Sequence, residues 1–316
     1  IMTVVDELGQ IKPEHGMALT IGVFDGVHPG HQHLIRSTKA KAEECGLLSG
    51  VITFAWHPRA LLDPQAELPY LTSVEERVTL IRNLGIDHVI VLSFTRELAD
   101  LRAREFAGLL KQYLRLRALV IGPDFALGKN REGTADVLRS IGQELGFTVD
   151  VVSPIKIGDV TISSTAIRQA LARGEIRNVT QLLGRRFKLS GTVVHGDHRG
   201  GKLLGFPTTN MSVKRNQALP ADGTYITLAH VGGKVYRAVT NIGLRPTFGP
   251  GERTIETHIL DFCGNVYDQQ MSIEFVKRIR GEMKFESLER LKAQIEADVA
   301  MARDFPIDTG LSAVPQ

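Results

Sequence analysis

The feature that most limits what this chain can fold into is an alternation. From Ala18 to Val152, short runs rich in Val, Ile and Leu are separated by longer stretches with apolar residues at helical spacing. The strand candidates are Ala18 to Phe24, Gly50 to Phe54, His88 to Phe94, Ala118 to Gly122 and Thr148 to Val152. Helices are expected over Gly30 to Cys45, Ser73 to Leu84, Ala99 to Leu114 and Ala135 to Leu145, with Gly46, Gly85 and Gly146 at stop positions. Strands without polar alternation are buried on both faces, and crossover helices must then cover both sides of a parallel sheet. A doubly wound α/β fold follows, and such sheets bind ligands at the carboxyl ends of their strands.

After Gly184 the rhythm changes to strands punctuated by Gly, Pro and Asn: Phe187 to His195, Gly223 to His230, Lys234 to Ile242, Thr254 to Phe262 and Met271 to Ile279. Val231-Gly232-Gly233 reads as a hairpin turn. This half is expected to be a mostly antiparallel β-barrel, with a final helix over Glu286 to Ala302 covering one end through Leu288, Leu291, Ile295, Val299 and Met301. The expected domains are residues 1–184 and 185–316, joined by a linker in Arg173 to Arg186.

Composition excludes several classes. With 43% hydrophobic and 23% charged residues over 316 positions, the chain reads as globular rather than disordered. No run approaches the roughly 18 apolar residues of a spanning helix, so no membrane partner is expected. The opening decapeptide carries Asp6 and Glu7 where a signal peptide would be basic and then apolar. Two cysteines, Cys45 and Cys263, are too few for a disulfide framework or a thiolate zinc site, and a cytoplasmic location fits. The net charge of +3 divides into −1 before residue 185 and +4 after it. No basic stripe exceeds Arg185-Arg186, which argues against nucleic acid and leaves small-molecule substrates as the expected partners. Composition accommodates a homo-oligomer as readily as a monomer.

Two segments carry chemistry. The first strand runs into Asp25-Gly26-Val27-His28-Pro29-Gly30-His31 and then a helix. Backbone amides and the positive helix end converge on an anion at such a junction, Pro29 suits the first helical turn, and Gly26 and Gly30 admit a phosphate close to the backbone. His28 and His31, three apart, can both donate to charge that develops on that phosphate. A metal site from Asp25, His28 and His31, or a plain polar helix start, are the competing readings. Neither a P-loop nor a G-x-G-x-x-G fingerprint is present. Thr161 to Arg168 supplies hydroxyls at Ser163, Ser164 and Thr165 at a helix start and Arg168 a turn later, which is either a phosphate contact or an ordinary cap.

The other segment is Gly191 to Asn210, a strand followed by a glycine loop and the turn at Pro207. It can fold over a nucleotide and present Thr208 and Asn210 as hard oxygen ligands for Mg²⁺, or be an ordinary hairpin. Glu256 alternates with Ile255 and Thr257, a pattern that leaves its burial open.

These segments, with Thr53-Phe54, His57-Pro58, Gly122 to Gly128, Arg131, Asn241 to Phe248 and Glu256 to Phe262, resemble in order the bacterial bifunctional riboflavin kinase/FMN adenylyltransferases, also called FAD synthetases. The match runs from about residue 17 to about residue 303, with Glu282 and Phe285 near its end. The resemblance implies a nucleotidylyltransferase-like N-terminal sheet and a riboflavin kinase barrel, acting on ATP, riboflavin, FMN and FAD with Mg²⁺. It implies ATP at Gly22, Phe24, Asp25, Gly26, His28, His31, Ser164, Thr165 and Arg168. Flavin would lie near Phe54, His57, Pro58, Asp124, Phe125 and Arg131. In the second half it implies ATP at Gly196, Gly200, Lys202, Gly205, Thr208 and Asn210, metal on the last two, and Glu256 as general base. Trp56, Thr161 and Thr209 stand where many relatives have Pro, Arg and Ala. Two other readings compete: an adenylyltransferase for another phosphorylated acceptor with a non-catalytic barrel, and an OB-like nucleic-acid binder. The single Trp and 5 Tyr argue against the second.

Overall fold

The structure is a computed structural model describing residues 3–56, 61, 68–157, 160–195, 206–214, 216–244 and 253–307. It divides into two compact units, Ile1–Ser164 and Thr165–Gln316, so the division falls ahead of Gly184, where the sequence changes rhythm.

The first unit opens with a helix absent from the sequence reading, α1 (Val4–Gly9), too short to show periodicity and started by a capping box between Thr3 and Asp6. Then come β1 (Met17–Ile21), α2 (Pro29–Cys45), β2 (Leu48–Phe54), α3 (Val74–Arg82) and β3 (His88–Leu92). The expected helix Ala99 to Leu114 is two, α4 (Arg96–Asp100) and α5 (Ala103–Leu114), because Leu101 adopts an extended backbone between them. The unit continues with β4 (Leu116–Ile121), α6 (Ala135–Leu145), β5 (Thr148–Val151) and the small pair β6 (Lys156–Ile157) and β7 (Val160–Thr161).

The main sheet is parallel, in the order β3-β2-β1-β4-β5. Two separate cores establish that it is doubly wound. Leu19, Ile52 and Leu119 pack with Leu8, Phe106, Leu110 and Leu138 of α1, α5 and α6. Val51 instead packs with Ile35 of α2 and Ile81 of α3. The chain reverses its winding direction between β1 and β4, which puts the crevice of the switch point beside the loop leaving β1.

The segment expected as a linker is helical in part: α7 (Ser164–Ala172) is followed by α8 (Ile176–Leu183), which buries Ile176, Val179 and Leu183. Then β8 (Lys188–Val194), β9 (Thr209–Ser212), β10 (Gly223–Val231), β11 (Lys234–Leu244), β12 (Arg253–Ile259) and β13 (Gln270–Arg280) close a six-stranded antiparallel barrel, ordered β10-β11-β12-β9-β8-β13. At the tip of β10 and β11, Gly232 and Gly233 have φ of 56° and 76°, the two positive values a two-residue type I′ turn requires. Tyr225, Phe275 and Phe187 fill the interior, and Thr227, Thr240 and Thr257 cross it in hydroxyl-to-hydroxyl contacts of 2.8 and 3.0 Å. Burial pushes the Tyr225 phenol up to about 12, and its hydroxyl donates to the Ala221 carbonyl.

Helix α9 (Leu288–Asp304) packs on β10 and β11, where Ala302, Val299 and Phe305 meet Ile226, Val239 and Leu260. Arg237 fastens its end by donating to the Ala302 and Phe305 carbonyls at 2.9 and 2.6 Å.

Candidate active sites

The loop from β1 to α2 is built on costly backbone. Phe24, Gly26 and Val27 have φ of 52°, 80° and 40°, and a β-branched residue such as Val27 rarely enters that region. Each non-glycine outlier costs on the order of 1–3 kcal/mol. Burial offsets this: Phe24 and Val27 are 3% and 1% exposed in the core beneath α2 and α3, and fully burying such side chains is worth about 1.5–3 kcal/mol each. Polar anchors fix the rest. The buried Asp25 carboxylate accepts from the Leu71 and Thr72 amides at 3.0 to 3.1 Å and from the Thr72 hydroxyl at 3.3 Å. Thr72 in turn accepts from the Gly26 amide at 3.0 Å, and Ser164 donates to the Asp25 carbonyl at 2.9 Å.

So held, the loop presents two imidazoles at the start of α2. His28 is the N-cap and its Nδ1 accepts from the His31 amide at 3.3 Å. The rings stack with centroids 3.6 Å apart, and Phe24 meets His31 edge-on at 5.3 Å. A Cβ on Gly30 would meet the His28 ring at 3.2 Å, a tight contact that would make the ring shift by a few tenths of an ångström. Among the described residues no three His, Cys, Asp or Glu side chains converge as a metal site. The helix start offers N–H groups and a positive dipole end to an anion. Thr165 and Arg168 lie on α7, past the end of this unit.

Of the residues expected around the flavin, Phe54 ends β2 and stacks edge-on with Phe94 at 5.5 Å. Beyond β4, the Arg131 guanidinium donates to the Asp124 carbonyl at 3.0 Å, so Asp124, Phe125 and Arg131 share one closed loop. Phe125 packs on the core. Trp56 is 61% exposed. His57 and Pro58 lie outside the described residues.

In the barrel, strand register creates a row. Asn210 of β9 faces Glu256 of β12, Glu256 faces Asn241 of β11, Asn241 faces Thr224 of β10, and Thr224 faces Arg280 of β13. Directly paired residues share a face with their Cβ atoms about 5 Å apart. Thr224 also donates to the Asn241 amide oxygen at 3.2 Å. Four of the five residues, with Thr208 and His258, line a cavity of about 580 Å³ whose remaining lining is mixed: apolar Met283, Phe285, Leu291, Ile295 and Val299 are interspersed with Glu282, Lys284 and Asp298. Arg280 is held there by Asp298 of α9, at 3.0 and 2.8 Å from Nε and Nη2, and Gln294 donates to the same carboxylate. The Pro207 carbonyl lies 2.8 Å from His258 Nδ1, fixing the turn that leads to Thr208. Thr209 donates to the Thr257 carbonyl at 3.2 Å, so its hydroxyl joins the threonine contacts of the barrel. Gly196, Gly200, Lys202, Gly205 and residues 245–248 lie outside the described residues.

Several residues of these sites escaped the sequence reading. Leu71 and Thr72 bind a carboxylate 46 and 47 positions away, and Arg77, fully buried, donates from Nη1 to the Val23 carbonyl and, at 3.2 Å, to the Thr53 hydroxyl. Burial lowers its guanidinium from the usual arginine range, with the Asp25 charge acting in the opposite sense. Thr224, Arg280 and Asp298 join the barrel site only through strand register and the return of α9. No local pattern announces such long-range partners.

Comparison with known proteins finds two families along the chain. Residues 10–166 match the FAD synthetase family and residues 183–306 the riboflavin kinase family. A bifunctional riboflavin kinase/FMN adenylyltransferase from Pseudomonas fluorescens is 37% identical over 305 residues, 96% of this chain and 97% of its own. The Escherichia coli K12 protein of the same name is 38% identical, covering 93% and 94%, and that of Bacillus subtilis is 37% identical, covering 91% and 92%. A crystal structure from Streptococcus pneumoniae, described as a macrolide-efflux protein, superimposes with a TM-score of 0.87 at 30% identity, covering 95% of this chain and 97% of that one. Among the described residues no helix is long and apolar enough to cross a membrane.

Proposed function

The chain belongs to the bifunctional riboflavin kinase/FMN adenylyltransferase family, and from that premise we propose how its residues divide the work. It is a transferase with two activities: it phosphorylates riboflavin to FMN with ATP, and it adenylylates FMN to FAD with release of pyrophosphate. An adenylyltransferase with an inert barrel is not favoured, because the riboflavin kinase family matches the barrel half. We assign adenylylation to residues 1–184 and kinase activity to residues 185–316, in the cytoplasm.

In the first half, the triphosphate of ATP rests on the start of α2, against the backbone of Gly22, Phe24 and Gly26 and next to Ser164. His28 and His31 donate to the charge that grows on the phosphate oxygens as the phosphate of FMN attacks the α-phosphorus. The bond to pyrophosphate breaks as the new phosphoanhydride forms, so no protein nucleophile is needed. The paired, stacked imidazoles at the helix start carry this reading. Asp25 serves it from beneath, since its carboxylate is committed to Leu71 and Thr72. The flavin lies near Phe54 and the Asp124–Arg131 loop. The roles of Thr165, Arg168, His57 and Pro58 rest on sequence alone.

In the barrel, Glu256 accepts the proton of the terminal ribityl hydroxyl while that oxygen attacks the γ-phosphorus and ADP leaves. The row of Asn210, Glu256 and Asn241 beside a cavity that also offers the apolar side chains Phe285, Leu291, Ile295 and Val299 supports this, since a flavin needs both apolar surface and a polar end. The neutral, hard oxygens of Thr208 and Asn210, next to a carboxylate, suit Mg²⁺. When bound, that ion would neutralise phosphate charge; Thr208 and Asn210 would orient it, and Glu256 would stay available for the proton.

The test is incubation with riboflavin, ATP and Mg²⁺, separating flavins over time. FMN appearing first and FAD following supports the scheme. FMN accumulating without FAD would remove the adenylyltransferase assignment.

A further inference from the structure

Arg77 stands apart from the site as the sequence describes it. It lies on α3, is 0% exposed, and sends Nη1 to the Val23 carbonyl and the Thr53 hydroxyl, while Thr53 donates to the same carbonyl at 2.9 Å. A cation without contact with water is retained against a large desolvation penalty, so its position calls for a reason. Among the described residues its Nε and Nη2 have no hydrogen-bond partner, so ordinary saturation of a buried arginine does not explain it. What Arg77 does hold is the last carbonyl before the loop in which Phe24, Gly26 and Val27 take positive φ. The Asp25 carboxylate, which pins the other side of that loop, offsets only part of the cost of burying this charge.

We propose that Arg77 is a positioning residue for adenylyl transfer: by fixing the Val23 carbonyl it holds the strained loop in the one conformation that sets His28 and His31 against the phosphates of ATP. It touches no substrate itself. Its loss lets the loop relax toward ordinary backbone angles, and the helix start no longer meets the triphosphate. This rests on the reading that ATP binds at the start of α2.

The experiment compares full-length Arg77→Met, Arg77→Lys, Thr53→Val and His28→Ala, measuring KM for ATP, KM for FMN and kcat of FAD formation, and KM for ATP of FMN formation. Arg77→Met is expected to raise KM for ATP and lower kcat/KM for FAD formation by about 10- to 100-fold, the span of a hydrogen bond to a charged donor. KM for FMN should stay within about twofold, and the kinase constants should not change. Arg77→Lys, which keeps a cation and a donor, should recover part of the loss. Thr53→Val should shift KM for ATP the same way by a smaller factor. A merely structural arginine would lower the active fraction, reducing kcat with both KM values unchanged, and that result overturns the proposal. If Arg77→Met does not fold, wild-type constants in Thr53→Val overturn it instead. His28→Ala separates the two ideas. If it leaves FAD formation intact, the phosphate-site reading fails; if it abolishes FAD formation while the Arg77 variants behave as wild type, only the role of Arg77 fails.

Discussion

Replacing Asp298 with alanine probes the junction between α9 and the barrel. Asp298 is 3% exposed at its side chain and holds Arg280, 18% exposed, through Nε and Nη2. Removing one partner of a buried pair costs about 3–5 kcal/mol, because the other charge is left unpaired. Arg280 borders the open cavity, where water can reach part of it, which reduces the expected loss to roughly 2–3 kcal/mol. For a domain of about 150 residues that corresponds to a fall of about 5–10 °C in Tm. Replacing both residues, Asp298→Leu with Arg280→Met, removes the unpaired charge and should recover most of the loss. Calorimetry resolves the transitions, and unchanged FAD formation from FMN and ATP reports whether the first unit is unaffected. A barrel transition shifted by less than about 2 °C in Asp298→Ala, or a double variant as unstable as the single one, would refute the argument.

Gly191→Ala should destabilise the barrel by about 1–3 kcal/mol, since a Cβ there overlaps the Ser212 carbonyl of β9; urea unfolding followed by circular dichroism measures it. Tyr225→Phe should cost about 1 kcal/mol by the same assay, through the lost bond to the Ala221 carbonyl. Asp87 accepts from the Ser49 amide and hydroxyl at 2.8 and 2.6 Å, which holds its carboxyl below the usual carboxylate range. Its contribution is therefore present above the unfolded value near 4 and lost as pH falls through the lower folded value. Urea midpoints between pH 2 and 6 should fall less steeply with acid in Asp87→Asn than in the wild type.

The β-α order of the first half and the strand-rich second half were legible because burial on two faces and turn residues leave a local imprint. The β1–α2 loop was legible for the same reason, since Gly26, Pro29, Gly30 and both histidines lie within six positions. Strand β9 leaves no such imprint: four residues, Thr209–Ser212, with Thr and Asn among them, present no apolar run, and the barrel closes on them only through β8 and β12. The helix α8 reads as linker in the sequence because Gly174 and Gly184 bracket a short amphipathic stretch. The supports of the sites were invisible. Asp25 reaches Leu71 and Thr72, Arg77 reaches Val23, and Arg280 reaches Asp298, all across strands or helices whose spacing no sequence window contains.

The central claim is that one chain holds two independent reaction sites, and mixing two variants tests it most directly. His28→Ala given riboflavin and ATP should accumulate FMN without FAD, Glu256→Gln given FMN and ATP should form FAD, and the two together should carry riboflavin through to FAD. Loss of FMN formation in His28→Ala, in a protein that remains folded, would contradict it.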